Sequence, residues 1–171
     1  DHARLSHECL VAFGGNHLSV SIHADDLSKV PTQNSILPQM LDELTQSFLL
    51  GESFAVPLFH GMYANAKHPL AKAMLTRVLQ DEGTHRAFGW AVLDAMLQRP
   101  GTEIRMYIST RLPDLLTKFK AAYAPENSQD TLSQAELDFG LMQPSDYYRI
   151  WKTCYSEDLM HRFQARQIEC P

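Results

Sequence analysis

The sequence predicts an all-α fold, a helical bundle, and three observations predict it. Apolar residues recur at steps of three and four through long stretches. No stretch sustains the alternation of a β-strand. Clusters of Gly, Pro and Asn separate the periodic stretches where helices must stop. With 171 residues, 44% of them hydrophobic, the chain can build one well-buried core.

The opening segment carries His2, Leu5, Cys9, Ala12 and Phe13 on one helical face, with no capping residues ahead of it. Gly14-Gly15-Asn16 then supplies a firm stop. From Gly14 to about Ser35 the chain is turn-forming, with a short alternating run from His17 to Ile22 and Pro31 before the next helix. A long helix follows from about Ile36 or Pro38 to Ala66, through the stripe Leu41, Leu44, Phe48, Glu52, Ala55, Val56, Phe59 and Met62. Asp42 and Glu43 complement the positive end of its dipole, and Pro57 predicts a kink. Lys67-His68-Pro69 punctuates the chain.

The next helix runs from about Leu70 to Gln98 through Met74, Leu75, Val78, Gly89, Val92 and Met96, and stops at Arg99-Pro100-Gly101. Another spans Thr102 to Ala122 on Ile104, Ile108, Leu112, Leu115, Leu116 and Phe119, with a bend at Pro113. A polar loop covers Pro125 to Thr131, and a short helix begins near Ser133. Pro144-Ser145 starts a last one, carrying Tyr147, Tyr148, Ile150, Trp151 and Tyr155 toward Leu159, Met160 and Phe163. Its aromatic residues read as core, with a channel lining as the alternative. Residues 1–100 are read as a metal-binding bundle portion, and 101–171 as a helical extension packed on the same domain.

Charge and composition exclude several functions. A net charge of −5 and a pI near 5.9 offer nothing to nucleic acid or an anionic membrane. No apolar run approaches a membrane span, and no leader resembles a signal peptide. The three cysteines, Cys9, Cys154 and Cys170, are odd in number and widely spaced. They suggest a reducing, cytoplasmic setting, without a disulfide framework or a thiolate zinc site.

Chemistry concentrates on three residues. Glu82 and His85, three apart, project to one side of a helix, and their stripe is apolar. Glu52 is the one charge on its own stripe. An ionised carboxylate in an apolar interior is normally paired, protonated or bound to a cation. One metal ion would resolve the cost for Glu52, Glu82 and His85 together; a core ion pair of Glu52 with Arg77 or His60 is the alternative. Carboxylates with imidazole suit iron, manganese or zinc. Asp81 reads as solvent-facing, or as a hydrogen-bond acceptor for a ligating histidine. Gly83 weakens its helix by about 1 kcal/mol relative to Ala and would permit close approach of a neighbouring helix or a substrate. His7, Glu8, His17, His23, His60, His68 and His161 have no partner at ligand spacing and read as surface or packing residues. Placing His2 on His85 also aligns Leu5 with Phe88, Cys9 with Val92 and Phe13 with Met96, so the opening helix resembles a second copy of the metal-binding helix.

Gly51-Glu52-Ser53-Phe54-Ala55 and Asp81-Glu82-Gly83-Thr84-His85 occur in order at suitable spacing, and His2-Ala3-Arg4-Leu5 resembles the tail of a further element. Over residues 1 to 98 the chain thereby resembles the ferritin-like di-iron carboxylate superfamily, and more narrowly the bacterial ferritin-like domain proteins. In that family two helices each supply one Glu, two others each supply Glu-x-x-His, and one long crossover joins the helical hairpins. The resemblance implies Glu52, Glu82, His85 and His2 as metal ligands. It implies two iron ions in the complete protein, or manganese, with Glu52 bridging or terminal, Glu82 bridging and His85 capping the second ion. It further implies an oxidoreductase acting with dioxygen or peroxide on a small-molecule substrate, of the oxidase, oxygenase or peroxidase type. The first-helix Glu and a Glu three residues before His2 have no counterpart here. The expectation is a fragment lacking the first bundle helix, completed by an N-terminal piece or a second chain, a homodimer included. The rival expectation is a non-catalytic helical scaffold or binding module that keeps the fold with an incomplete site.

Overall fold

A computed structural model describes residues 2–12, 14–15, 36–99, 103–124 and 131–171, without the side chain of His2. The turn-forming stretch before residue 36, most of the polar loop after residue 124 and the ligand role expected of His2 therefore lie outside the described residues. Six helices and no strand are found among the described residues. Helix α1 covers His2–Ala12. Helix α2 spans 36–65 without a break, as α-helix over Ile36–Glu43, a wider π-helical stretch over Leu44–Glu52, and α-helix again over Ser53–Asn65. Then come α3 at Pro69–Leu97, α4 at Glu103–Tyr123 and the short α5 at Gln134–Asp138. Helix α6 spans 144–164 and contains a second π-helical turn at Tyr155–Leu159.

The punctuation works as its chemistry requires. Gly14, at φ +78°, and Gly15 close α1 by donating to the carbonyls of Val11 and Leu10 at 3.0 and 2.9 Å, the paired bonds of a Schellman stop. Pro69 opens α3, where the missing N–H costs nothing, and His68 caps the helix by accepting from the Leu70 amide at 3.3 Å. Ser133 and Glu136 form a reciprocal capping box that starts α5. Pro57 sits inside α2 and cannot donate to the carbonyl of Ser53. That carbonyl instead accepts from the Cys154 thiol at 3.5 Å, so α6 satisfies a group that the proline leaves behind.

Residues 66–68 join α2 to α3, and a link this short makes them antiparallel neighbours. They come close at Gly89, where a β-carbon would lie 2.7 Å from Cβ of Phe48 and 3.3 Å from its backbone. Helix α1 also lies against α3. One apolar cluster runs through Leu41, Leu49, Leu50 and Phe54 of α2, Trp90 and Leu93 of α3, Ile108, Leu112 and Phe119 of α4, and Trp151, Leu159 and Phe163 of α6. Trp151, 5% exposed, meets Phe54 and Phe119 with ring centres 5.8 and 5.2 Å apart, so the core reading of the aromatic cluster holds for Trp151, while Tyr147, Tyr148 and Tyr155 are only partly buried.

The buried face of α2 departs from the predicted stripe. Leu41 and Leu44 are buried as expected, but burial then follows Thr45, Leu49, Leu50, Ser53 and Phe54, while Phe48 and Glu52 are only partly covered. A π-helical turn holds more residues than the 3.6 of an α-helix, so the inward face slips along the sequence. Asp42 differs too. Its carboxylate accepts from Tyr107 Oη at 3.0 Å and from Arg111 Nε and Nη2 at 3.2 and 3.0 Å, fastening α4 to α2; because α2 begins at Ile36, neither Asp42 nor Glu43 stands in its first turn to serve the dipole as expected. The three cysteines are free, and burial pushes the Cys154 thiol up to about 12, which keeps it a protonated packing group. No described helix is long and apolar enough to cross a membrane.

Candidate metal centre

Glu52 stands on the last residue of the π-helical stretch of α2, and Glu82 and His85 stand one turn apart on α3. The antiparallel pairing of these helices sets them face to face. One ligand atom from each, two carboxylate oxygens and an imidazole nitrogen, lie within 4.8 Å of one another. His85 Nδ1 is 3.3 Å from Oε2 of Glu82 and 3.7 Å from Oε2 of Glu52. Glu82 is buried at 4% exposure, Glu52 is partly covered, and the His85 side chain is 44% exposed, so the cluster reaches from the interior to the edge of the helix pair.

Electrostatics bear on whether a cation fits. Burial, and then a hydrogen bond to Glu82 and the repulsion of its charge, push Glu52 up to about 7, against an opposing pull from His85. A cation between the carboxylates would reverse the balance by favouring both ionised forms. The donors, two hard oxygens and a borderline nitrogen, match the preferences of iron, manganese and zinc. The three residues therefore fit a metal ion by separation, by charge and by donor type.

Neighbouring side chains hold the ligands in register. Trp90 Nε1 donates to Ser53 Oγ at 3.1 Å, tying the residue after Glu52 to the turn after His85, with both partners almost fully buried. Phe48 and Phe88 meet edge to face at 5.6 Å beside them. Arg77 binds Asp81 at 2.9 Å on its own helix and so is not the core partner of Glu52, while His60 is exposed in a cavity wall on the α6 side with Arg86 and Asp158. Asp81, committed to Arg77 and partly exposed, follows the solvent-side expectation.

A cavity of about 380 Å³ opens beside the carboxylates, with Glu52 and Glu82 in its wall and Gly51, Phe54, Ala55, Leu58 and Phe119 around it. Sequence reasoning missed this cavity and the Ser53–Trp90 bond. A serine directly after Glu52 in an apolar run was the available signal for the bond, and nothing local signalled the cavity. Comparison with family models, with curated proteins and with solved structures finds no match to this chain.

Proposed function

We propose that Glu52, Glu82 and His85 are part of a ferritin-like, carboxylate-bridged metal centre, and that the protein is an oxidoreductase that activates dioxygen or peroxide. The observation that carries the reading is the convergence of three ligand-type atoms from two helices within 4.8 Å. Their order along the chain supports it: Gly-Glu on one helix and Asp-Glu-x-x-His on the next. A π-helical stretch ending on a ligand candidate supports it too, because such distortions concentrate at functional sites.

In this reading Glu52 and Glu82 supply negative charge and oxygen donors, and His85 supplies a neutral nitrogen from the exposed side. Iron or manganese bound there would supply redox equivalents and open coordination positions for an oxygen species. The chain's own task is geometric. The Ser53–Trp90 bond and the close contact at Gly89 hold the two ligand helices at fixed separation.

Metal analysis of the purified full-length protein tests the reading. The expected result is bound iron or manganese that is lost in Glu52→Ala and Glu82→Ala. No bound ion in the wild type, or a content in both variants unchanged from the wild type, would overturn it. The described residues bring together ligands enough for one ion, which favours a scaffold with an incomplete site as the second reading. Dioxygen or peroxide consumption by the iron-loaded protein separates the two, because a scaffold consumes neither.

A further inference from the structure

We propose that the cavity beside the carboxylates is the substrate chamber, and that it takes an uncharged, largely apolar organic molecule. The inference rests on the reading of Glu52, Glu82 and His85 as the reacting centre. The chamber holds about 380 Å³, and one of its walls carries both carboxylates. Elsewhere Phe54, Leu58, Phe59 and Phe119 give it an apolar side, Gln46, Ser47 and Tyr123 add neutral polar groups to its lining, and space is left where the α2 wall is lined by Ala55. Phe54 and Phe119, edge to face at 5.6 Å, form a fixed aromatic floor.

The chemistry of this lining selects by charge. No Lys or Arg is among its residues, so in the metal-free protein an anionic molecule entering it meets two acidic groups without a lining counter-charge. A cationic molecule would compete with a metal ion for the same oxygens. A neutral molecule gains the burial of its apolar surface and disturbs neither carboxylate. The arrangement thus places an apolar body against the aromatic floor, with one edge turned toward Glu52 and Glu82.

The test compares 2-naphthol with 2-naphthoate, which share a ring system and differ in charge at neutral pH, by calorimetric titration into the metal-free full-length protein. The expected result is binding of 2-naphthol, with 2-naphthoate at least tenfold weaker. Ala55→Phe fills the chamber and should weaken 2-naphthol at least tenfold, with helical content and metal binding retained. Phe59→Ala enlarges it, and should raise the affinity of the three-ring 9-phenanthrol relative to 2-naphthol, an arm that stands even if Ala55→Phe fails to fold. Equal binding of naphthoate and naphthol, unchanged naphthol affinity in folded Ala55→Phe, or no shift toward phenanthrol in Phe59→Ala would each overturn the proposal. Loss of the metal reading with chamber-dependent naphthol binding intact would sink the centre alone, so the two failures are distinguishable.

Discussion

Glu52 carries a pH signature that falls in the neutral range. Its carboxyl titrates near 4.5 when unperturbed and is pushed up to about 7 in the folded, metal-free chain by burial and by Glu82. The folded state therefore holds this proton more tightly than the unfolded state does. The stabilisation from that difference is fully present below about pH 4.5 and is lost as pH rises through about 7. Glu52→Gln, always neutral, should remove this dependence. Urea unfolding of the metal-free protein from pH 5 to 8 is expected to show wild type losing stability relative to the glutamine variant as pH rises; parallel profiles would refute the prediction. Bound metal should invert the trend, since ligation requires the ionised carboxylate and strengthens with pH. At this scale the sequence was legible where Glu82 and His85 shared a helical face; Glu52 was singled out as the charge on a stripe that is not the buried face of α2, yet it does lie beside that pair. The partners of Asp42 were not legible, because Tyr107 and Arg111 lie more than sixty residues away and only packing brings them near.

Elements obeyed their local signals more closely than their faces did. The bounds of α3 and α4 fall within about a residue or two of those predicted by proline, glycine and apolar spacing, because caps and breakers act over one turn. The inward face of α2 escaped prediction because nothing in Leu44–Glu52 announces a π-helical stretch, and a period other than 3.6 misassigns each residue after it. The glycines of α3 show the same division. Gly83 looked like a point of close approach, yet a β-carbon there would meet no described atom within 4 Å; Gly89 is where Phe48 presses against the helix. Opposite outcomes follow from one substitution. Gly83→Ala should stabilise by about 1 kcal/mol through helix propensity alone. Gly89→Ala makes the same gain but must displace Phe48, and overpacking costs about 1–3 kcal/mol, so it should be neutral to destabilising by up to about 2 kcal/mol. Chemical denaturation of both variants checks the pair, and a Gly89→Ala protein as stable as Gly83→Ala would deny the contact.

Across the whole molecule, α6 and the segment after it close over α3 through a ladder of charge. Arg86 binds Asp158 at 2.6 Å, and Arg166 grips both oxygens of Asp94 at 2.6 and 2.8 Å. The Arg162 and Arg166 guanidinium groups also lie over the Trp90 ring, at 5.4 and 4.7 Å from its centre. This ladder stands beside the site, because Trp90 is the residue that bonds Ser53 next to Glu52. Arg166→Ala removes a two-pronged ion pair and a cation–π contact at a partly covered position. The expected loss is about 1–2 kcal/mol, between that of an exposed pair and a buried one. For a chain of this size that lowers the melting temperature by roughly 3–6 °C. Arg166→Lys should recover only part of it, since an ammonium keeps the charge but not the fork. Helices α2, α3, α4 and α6 contribute to one apolar cluster, so the change should appear as a shift of a single transition and not as separate melting of the C-terminal part. The two tryptophans, Trp90 on α3 and Trp151 on α6, report on both regions at once. Fluorescence and far-ultraviolet circular dichroism should therefore coincide in wild type and variant alike, and two resolved transitions would show that α6 is an independent unit rather than the fourth wall of the core.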